Sequence, residues 1–234
     1  MNTLQPSTPS VESELATINI LCSKNPYQIG DQRFYKLLNE LPEEIRSKIE
    51  HTKSIEKAQA SLISKLLLRE GFDKYYQPDH LSLDHVTFTR YDRPVYDDRT
   101  VDFNISHSYD LVACAISPGF QIGLDLEKIR PVNVGHFLKE FSGQELVNIH
   151  NAEDQCSAFF SYWTKKEAIL KAEGLGLNQS LSEISFNQAG NEAEIFSHHW
   201  YLYPIPIHKG YCCWLASSEP IDMDAVVIDY QNIE

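Results

Sequence analysis

The chain has 234 residues, of which 42% are hydrophobic and 23% charged, and its formal net charge is −13. That length and composition are typical of a globular protein with one large or two small domains. The acidic balance argues against broad nucleic-acid binding, which requires a basic surface to neutralise phosphates. The sequence contains no apolar run of 18 residues, and the polar segment 1–14 lacks the features of a secretory signal. The five cysteines form no C-x-x-C pair, which indicates reduced thiols and a cytoplasmic protein. From the acidic charge and the lack of a long apolar run, we expect that the protein binds neither nucleic acid nor a membrane.

The predicted elements fall into two similar halves. Residues 1–13 are rich in Ser, Thr and Pro and are predicted to form a disordered tail. In the first half the patterns predict helices over 33–49, interrupted at Pro42, and over 54–68, ended by Gly71, then strands over 85–89, 101–105, 111–117 and 121–126. In the second half they predict helices over 134–150 and 154–173, then strands over 183–187, 194–203, 211–217 and 225–230. We therefore expect an α+β fold of two similar lobes, the first over 14–118 and the second over 119–234.

Two carboxylates lie one residue apart at the end of the predicted strand 121–126, in the sequence Gly-Leu-Asp-Leu-Glu. Asp125 and Glu127 project from the same face of a strand, because side chains at i and i+2 share a face. Paired carboxylates repel each other unless a cation joins them, and Mg²⁺ commonly takes one or two carboxylates together with phosphate oxygens. The alternative is an edge strand that ends in solvent, with Lys128 and Arg130 balancing its charge.

The predicted helix 154–173 carries a stripe that mixes aromatic and charged residues. Four residues at near-fourfold spacing share one face: Phe160, Trp163, Glu167 and Lys171. The two aromatic residues direct the stripe inward, where a carboxylate and an ammonium group need partners. We therefore expect Glu167 to bind a cation and Lys171 an anion, with Lys166 reaching the same ligand and Lys165 pointing to solvent. The alternative is a Glu–Lys pair on the surface of the helix.

Two further segments could contact phosphate groups. Ser106 and His107 lie in the sequence Asn-Ile-Ser-His-Ser, which we place at a turn between two strands. Hydroxyl groups, backbone N–H groups and an imidazole at such a turn can donate to phosphate oxygens, although an ordinary polar turn is the alternative. Arg93 precedes a rigid proline and could also bind a phosphate.

These segments, taken in order, resemble the motifs of the 4′-phosphopantetheinyl transferases. They are residues 104–108, residues 123–127 and the run Trp163-x-x-Lys166-Glu167-Ala168-x-x-Lys171-x-x-Gly174. The two-lobed length is similar to that of the surfactin-synthetase-activating type. The resemblance implies a pseudo-twofold pair of α/β lobes with coenzyme A in the cleft between them. It also implies a holo-[acyl-carrier-protein] synthase activity, in which phosphopantetheine passes from coenzyme A to a serine of an apo acyl, peptidyl or aryl carrier protein and 3′,5′-ADP is released.

The resemblance assigns roles to individual residues. It implies that Mg²⁺, or Mn²⁺, is held by Asp125, Glu127 and Glu167. It implies that coenzyme A is bound by Ser106, His107, Lys166, Lys171 and Arg93, with Arg93 at the adenosine end. It places catalysis on Glu167, Glu127 and Lys171. We prefer Glu167 to Glu127 as the base that accepts the serine proton.

The chain also departs from the family pattern. Ala60 stands where many relatives carry an arginine, and Asp92 where relatives often have glycine. The candidates to replace these adenosine-end contacts are Lys24, Arg33 and Lys36, and no motif chooses among them. The alternative function is therefore a catalytically impaired coenzyme A-binding protein on the same scaffold. Carrier proteins are usually acidic, so we expect docking on a small basic patch in the second lobe, drawn from Lys128, Arg130, Lys139 and Lys165. We expect the two-lobed chain to act as a monomer.

Overall fold

The structure, a computed structural model, describes residues 17–24, 29–76, 81–175 and 180–232. The predicted tail at 1–13 lies outside these residues. Two sheets, each covered by one long helix, confirm the predicted α+β class. None of the helices in the described ranges is long and apolar enough to cross a membrane.

The first sheet has four strands in the order β11-β1-β5-β4. The strands are β1 (Ile18–Lys24), β4 (Val101–Ser108), β5 (Leu111–Pro118) and β11 (Val226–Tyr230). The helices of this half are α1 (Asp31–Leu38), α2 (Glu43–Glu50) and α3 (Ile55–Tyr75), and a separate hairpin pairs β2 (Val86–Phe88) with β3 (Pro94–Tyr96). The sequence patterns predicted neither β1 nor β3, and β1 is a buried central strand.

Helix α3 packs against β1 and β5 and forms the first core. The prediction that it ends at Gly71 is wrong, because the helix continues to Tyr75. Gly71 is instead a point of close packing. A Cβ atom there would lie 2.4 Å from the Cδ1 atom of Ile116 and 2.9 Å from that of Leu21. The glycine therefore brings the helix close to the sheet and does not end the helix.

The second sheet has five antiparallel strands in the order β6-β10-β9-β8-β7. They are β6 (Ile122–Lys128), β7 (Ser185–Phe186), β8 (Glu192–Ile195), β9 (His198–Pro204) and β10 (Tyr211–Ser217). The predicted single strand 194–203 is wrong, because Phe196 and Ser197 have φ angles of 50° and 66° and form a tight turn between β8 and β9. The predicted helix 134–150 is divided into a 3₁₀ segment (Val134–Glu140) and α4 (Gly143–Asn151), whose capping box is formed by Ser142 and Glu145.

The C-terminal strand β11 leaves the second sheet and pairs in parallel with β1 of the first. Asp229 in this strand accepts hydrogen bonds from Lys74 (2.5 Å) and Tyr75 (3.0 Å) at the end of α3. The second half of the chain thus supplies a strand to the first sheet. The division into lobes at residues 118 and 119 stays a prediction.

Strands β4 and β6 are edge strands of the two sheets and lie side by side. Alternate β4 side chains accept hydrogen bonds from alternate backbone N–H groups of β6: Asp102 from Ile122 (2.8 Å), Asn104 from Leu124 (3.0 Å), Ser106 from Leu126 (3.1 Å) and Ser108 from Lys128 (3.2 Å). The predicted turn over residues 104–108 is therefore wrong, because these residues continue β4. Their side chains satisfy N–H groups that a sheet edge otherwise leaves unpaired. We call this set of four hydrogen bonds the side-chain ladder.

Helix α5 (Gln155–Glu173) packs on the face of β6 and β10. Its closest approach is at Gly123, where a Cβ atom would lie 1.9 Å from the carbonyl oxygen of Ala168 and 2.6 Å from the amide nitrogen of Ala172. Backbone atoms of a helix cannot move aside as a flexible side chain can. A residue without a side chain is therefore needed for α5 to lie directly over β6.

We predict that Gly123→Ala destabilises the protein by about 2–4 kcal/mol, because the added methyl group forces α5 away from β6. The control is Gly143→Ala at the start of α4, where a Cβ atom meets no neighbouring atom within 4 Å. Urea unfolding of both variants measures the difference. A Gly123→Ala midpoint equal to that of the control would contradict the close approach.

Candidate active site

The sequence-predicted acids of β6 face helix α5, where Asp125 is buried and Glu127 half-buried. Asp125 is 5% exposed. Its Oδ1 atom accepts hydrogen bonds from the ammonium group of Lys171 (2.7 Å) and from the hydroxyl group of Ser106 (3.0 Å). Its Oδ2 atom is buried and, among the described residues, has no hydrogen-bond partner. The interpretation of this strand as one that ends in solvent is therefore wrong for Asp125.

Lys171 projects from α5 across the end of β6. Besides Asp125, its ammonium group contacts the hydroxyl group of Ser106 (2.8 Å) and the carbonyl oxygen of Leu124 (3.1 Å). The side chain is 30% exposed, so the ammonium group borders solvent. The ion pair of Lys171 is therefore with Asp125 on strand β6. The alternative of a surface pair with Glu167, four residues earlier on the same helix, is not what the structure shows. Lys171, Asp125 and Ser106 thus come from three elements, α5, β6 and β4.

The other two acids of the cluster have raised pKa values. Burial raises the pKa of Glu167 from 4.5 to about 7, and the negative charges of Asp125 and Glu127 add to the effect against the opposing charge of Lys171. Burial also raises the pKa of Glu127, although Ser108 donates a hydrogen bond to its Oε2 atom at 2.8 Å. Each carboxylate therefore carries an electrostatic cost that a nearby cation would remove.

The donor set fits a hard divalent cation. Asp125 pairs with Lys171, and the charges of Glu127 and Glu167 also interact with this ammonium group. Within the described ranges the Oδ2 atom of Asp125 has no hydrogen-bond partner. In the part of the chain that the structure describes, no three Asp, Glu, His or Cys side chains are already placed to hold a metal ion together. Mg²⁺ commonly takes one or two carboxylates and completes its coordination with waters and phosphate oxygens. The cluster is therefore suited to a cation that arrives with a phosphate ligand.

His107 lies on β4 next to Ser106 but on the opposite face of the strand, because adjacent strand residues alternate. Its pKa is lowered by burial first, and then by the positive charges of Lys171 and Lys57. The lowered pKa favours the neutral imidazole, so Lys57 supplies the positive charge on the α3 side of the strand.

The structure does not bring two of the predicted ligand residues to this cluster. Lys166 is fully buried, and its ammonium group donates to Glu145 on α4. Arg93 donates to Asp102 (2.6 Å) and to the carbonyl oxygen of Ile122 (3.1 Å), and it is 8% exposed. Both cations already have acceptors in the fold, which is why they are not free to hold a phosphate.

The prediction that Lys165 points to solvent is also wrong. Lys165 is 9% exposed, and its ammonium group donates to the carbonyl oxygen of Gly190 at 2.7 Å. It also lies 4.1 Å from the centre of the Trp214 ring, a cation–π distance. Lys165 is therefore not part of a surface docking patch.

A cavity of about 420 Å³ opens beside the acid cluster. Glu127 lies at one end, and Arg130 lies at the rim, 5.1 Å from the ring of Phe160. The aromatic part of the lining is Phe137, Phe159, Phe160 and Trp163. We call this the aromatic cavity. The sequence analysis did not predict it, because Phe137 joins the helix α5 residues only through tertiary packing.

Ser108 is a further site residue that the sequence analysis did not assign. It accepts from the backbone of Lys128 and donates to Glu127, so it orients the second acid as Ser106 orients the first. The signal that could have found it is its spacing of two residues from Ser106, which matches the spacing of the two acids.

The chain is similar to known proteins, in one comparison over its second half and in others over most of its length. A profile described as the 4′-phosphopantetheinyl transferase superfamily matches residues 121–218. The 4′-phosphopantetheinyl transferase gsp of Aneurinibacillus migulanus is 28% identical over 86% of this chain and 87% of that protein. The 4′-phosphopantetheinyl transferase Sfp of Bacillus subtilis is 27% identical over 88% and 94%. The 4′-phosphopantetheinyl transferase HetI of Nostoc is 40% identical over a shorter region, 36% of this chain and 39% of that protein.

We predict that Glu167→Gln stabilises the cation-free protein at pH 8 but not at pH 4. The pKa of Glu167 rises from 4.5 to about 7 on folding, so its cost is absent below pH 4.5, grows between pH 4.5 and about 7, and is constant above that. The expected gain at pH 8 is about 1–3 kcal/mol. Denaturant unfolding in EDTA at the two pH values measures it.

The exposed Glu153→Gln is the matched control, and its effect on stability is expected not to change with pH. If the two glutamine variants showed the same pH dependence, the burial of Glu167 would not have the electrostatic cost assigned to it.

Proposed function

We propose that the chain belongs to the 4′-phosphopantetheinyl transferase superfamily, which its similarity to known members supports, and that it transfers the 4′-phosphopantetheine group of coenzyme A to a serine of an apo carrier protein and releases 3′,5′-ADP. The observation that carries this proposal is the Oδ2 atom of Asp125, which has no hydrogen-bond partner among the described residues, beside the partly exposed ammonium group of Lys171. A cation site and an anion site meet there, which is what a metal-bound pyrophosphate requires.

Lys171 and Ser106 are the proposed contacts for the pyrophosphate of coenzyme A. Lys171 is charged and borders solvent, and it can stabilise the negative charge that grows on the phosphate oxygens during transfer. His107, with Lys57 nearby, is the proposed contact for a further phosphate group on the α3 side of β4. Lys166 and Arg93 are left out, since Lys166 uses its three donors within the fold and Arg93 is buried in an ion pair with Asp102.

Asp125, Glu127 and Glu167 are the proposed Mg²⁺ ligands. When bound, Mg²⁺ would neutralise charge on the pyrophosphate and on the leaving 3′,5′-ADP. A serine hydroxyl group is a weak nucleophile, and Glu167 is the first candidate for the base that accepts its proton. Without a cation the pKa of Glu167 is raised to about 7, which suits a base at neutral pH. A carboxylate bound to Mg²⁺ is less basic, so the ligand and base roles of Glu167 compete. Glu127, whose pKa is also raised, is the second candidate.

The carrier protein is proposed to dock on the second lobe beside the aromatic cavity. Arg130 and Lys128 lie there, with the ring of Tyr109 5.8 Å from the guanidinium group and 4.9 Å from the ammonium group. Asp110 lies 3.9 Å from the Lys128 ammonium group, whereas Arg130 is exposed. In a chain whose net charge is −13, this small basic surface can attract an acidic partner that the rest of the surface repels.

We predict that apo carrier proteins incubated with the chain, coenzyme A and Mg²⁺ gain the mass of one phosphopantetheine group. Glu167→Gln is expected to lower the rate by about 10²-fold or more, because it removes a metal ligand or the base. Intact-protein mass spectrometry with acyl, peptidyl and aryl carriers measures the gain, and EDTA should abolish it. Glu153→Gln is the control. Coenzyme A binding without any mass gain would show an impaired coenzyme A-binding protein instead.

We predict that Arg130→Glu raises the KM for the carrier protein about tenfold and leaves the KM for coenzyme A unchanged, because the reversal removes a positive docking contact. The control is Lys53→Glu on the exposed surface of the first lobe. Steady-state kinetics with each substrate varied in turn separates the two constants. An equal rise in both variants would show a general effect of net charge and contradict docking at Arg130.

A further inference from the structure

The buried ammonium group of Lys166 donates all of its hydrogen bonds to other groups of the protein. It donates to the Oε2 atom of Glu145 (2.8 Å), to the carbonyl oxygen of Glu140 (3.1 Å) and to that of Leu181 (3.0 Å). An ammonium group has three N–H donors, so these acceptors account for all of them. The side chain is 0% exposed. A phosphate could reach Lys166 only if this part of the fold came apart.

The three acceptors lie in segments that flank the active site. Glu140 ends the 3₁₀ segment Val134–Glu140, and Glu145 lies in the first turn of α4. Glu145 is itself tied to the chain, because its Oε2 atom also accepts from the backbone N–H group of Ser142 at 2.7 Å. Lys166 therefore fixes the junction between the 3₁₀ segment and α4 to the middle of α5.

That junction sets the wall of the aromatic cavity. The 3₁₀ segment carries Phe137, whose ring centre lies 5.3 Å from that of Phe159 and 5.2 Å from that of Trp163 on α5. Phe141, just after the segment, packs 5.3 Å from Phe159 and lies 5.5 Å from the Lys166 ammonium group. Movement of the junction would therefore change the shape of the aromatic cavity beside Glu127, while the positions of the three acids and of Lys171 stay the same.

We propose that Lys166 is a positioning residue that holds the 3₁₀ segment against α5 and so shapes the aromatic cavity for the carrier protein, and that it does not bind coenzyme A. This proposal rests on the proposed transferase function and names the substrate that Lys166 affects. It predicts that the two lysines of the same motif act on different substrates, Lys166 on the carrier and Lys171 on coenzyme A.

The kinetic test compares Lys166→Met with Lys171→Met. For Lys166→Met, the dissociation constant of coenzyme A with Mg²⁺, measured by calorimetry, is expected to stay within about twofold of the wild-type value, while the KM for the carrier rises about tenfold. Lys171→Met should instead raise the coenzyme A dissociation constant about tenfold or more. A Lys166→Met variant that weakens coenzyme A binding as strongly as Lys171→Met would overturn the proposal.

Glu145→Gln supplies a second variant, because it removes the negative charge but keeps an acceptor for Ser142. If Lys166 acts through Glu145, Glu145→Gln should raise the same carrier KM, and the double variant with Lys166→Met should be no worse than Lys166→Met alone. A phosphate ligand would share no effect with Glu145, so fully additive losses would contradict the proposal. If Lys166→Met does not fold, the carrier and coenzyme A constants of Glu145→Gln decide the question.

Failure of the transferase function is distinguishable from failure of this proposal. A wild-type chain that binds coenzyme A and modifies no carrier would contradict the proposed function. In that case urea unfolding of the two single variants and the double variant still tests whether Lys166 holds the junction through Glu145. A double-variant midpoint shift smaller than the sum of the single shifts supports it, and an additive shift overturns it.

Discussion

The hydrogen bonds between β4 side chains and the β6 backbone hold the two sheets together at the point where the site forms. An unpaired N–H group at a buried sheet edge costs free energy comparable to a lost hydrogen bond. The side-chain ladder supplies acceptors for four N–H groups of β6, so these groups are paired without backbone acceptors from a neighbouring strand. Because Ser106 and Ser108 also donate to Asp125 and Glu127, the same contacts that join the halves orient the acids. Structure and site thus depend on one set of side chains.

The site is electrostatically costly in the absence of a cation. Helix α5 reaches β6 closely because Gly123 has no side chain, and this approach places Glu167 near two other carboxyl groups in a buried position. Lys171 offsets part of the negative charge through its ion pair with Asp125. What remains favours a divalent cation with its phosphate ligand. This is the usual relation between a functional site and the stability of the protein that holds it.

Three lysines on one helix have three different environments. Lys165 donates to a backbone carbonyl and lies against an aromatic ring, Lys166 joins α5 to α4, and Lys171 reaches the acid cluster at the edge of solvent. Residues one position apart on a helix differ by 100° in direction, so adjacent lysines need not share a ligand. The helical stripe correctly grouped Glu167 with Lys171. The difference between the other two lysines depends on α4 and on the second sheet.

The sequence by itself determined the α+β class, most helices, and the three carboxylates and one lysine whose local spacing puts them on shared faces. These are short-range properties, since strand alternation and helical periodicity act within a few residues. Only the tertiary structure decided that residues 104–108 continue a strand, that β11 joins the first sheet, and that Lys166 and Arg93 bind the protein itself. Each of these features depends on contacts that form only in the folded chain, such as those of Lys166 with Glu145 and of Arg93 with Ile122. Local spacing cannot specify such contacts, because they form only when the two sheets and α5 pack together.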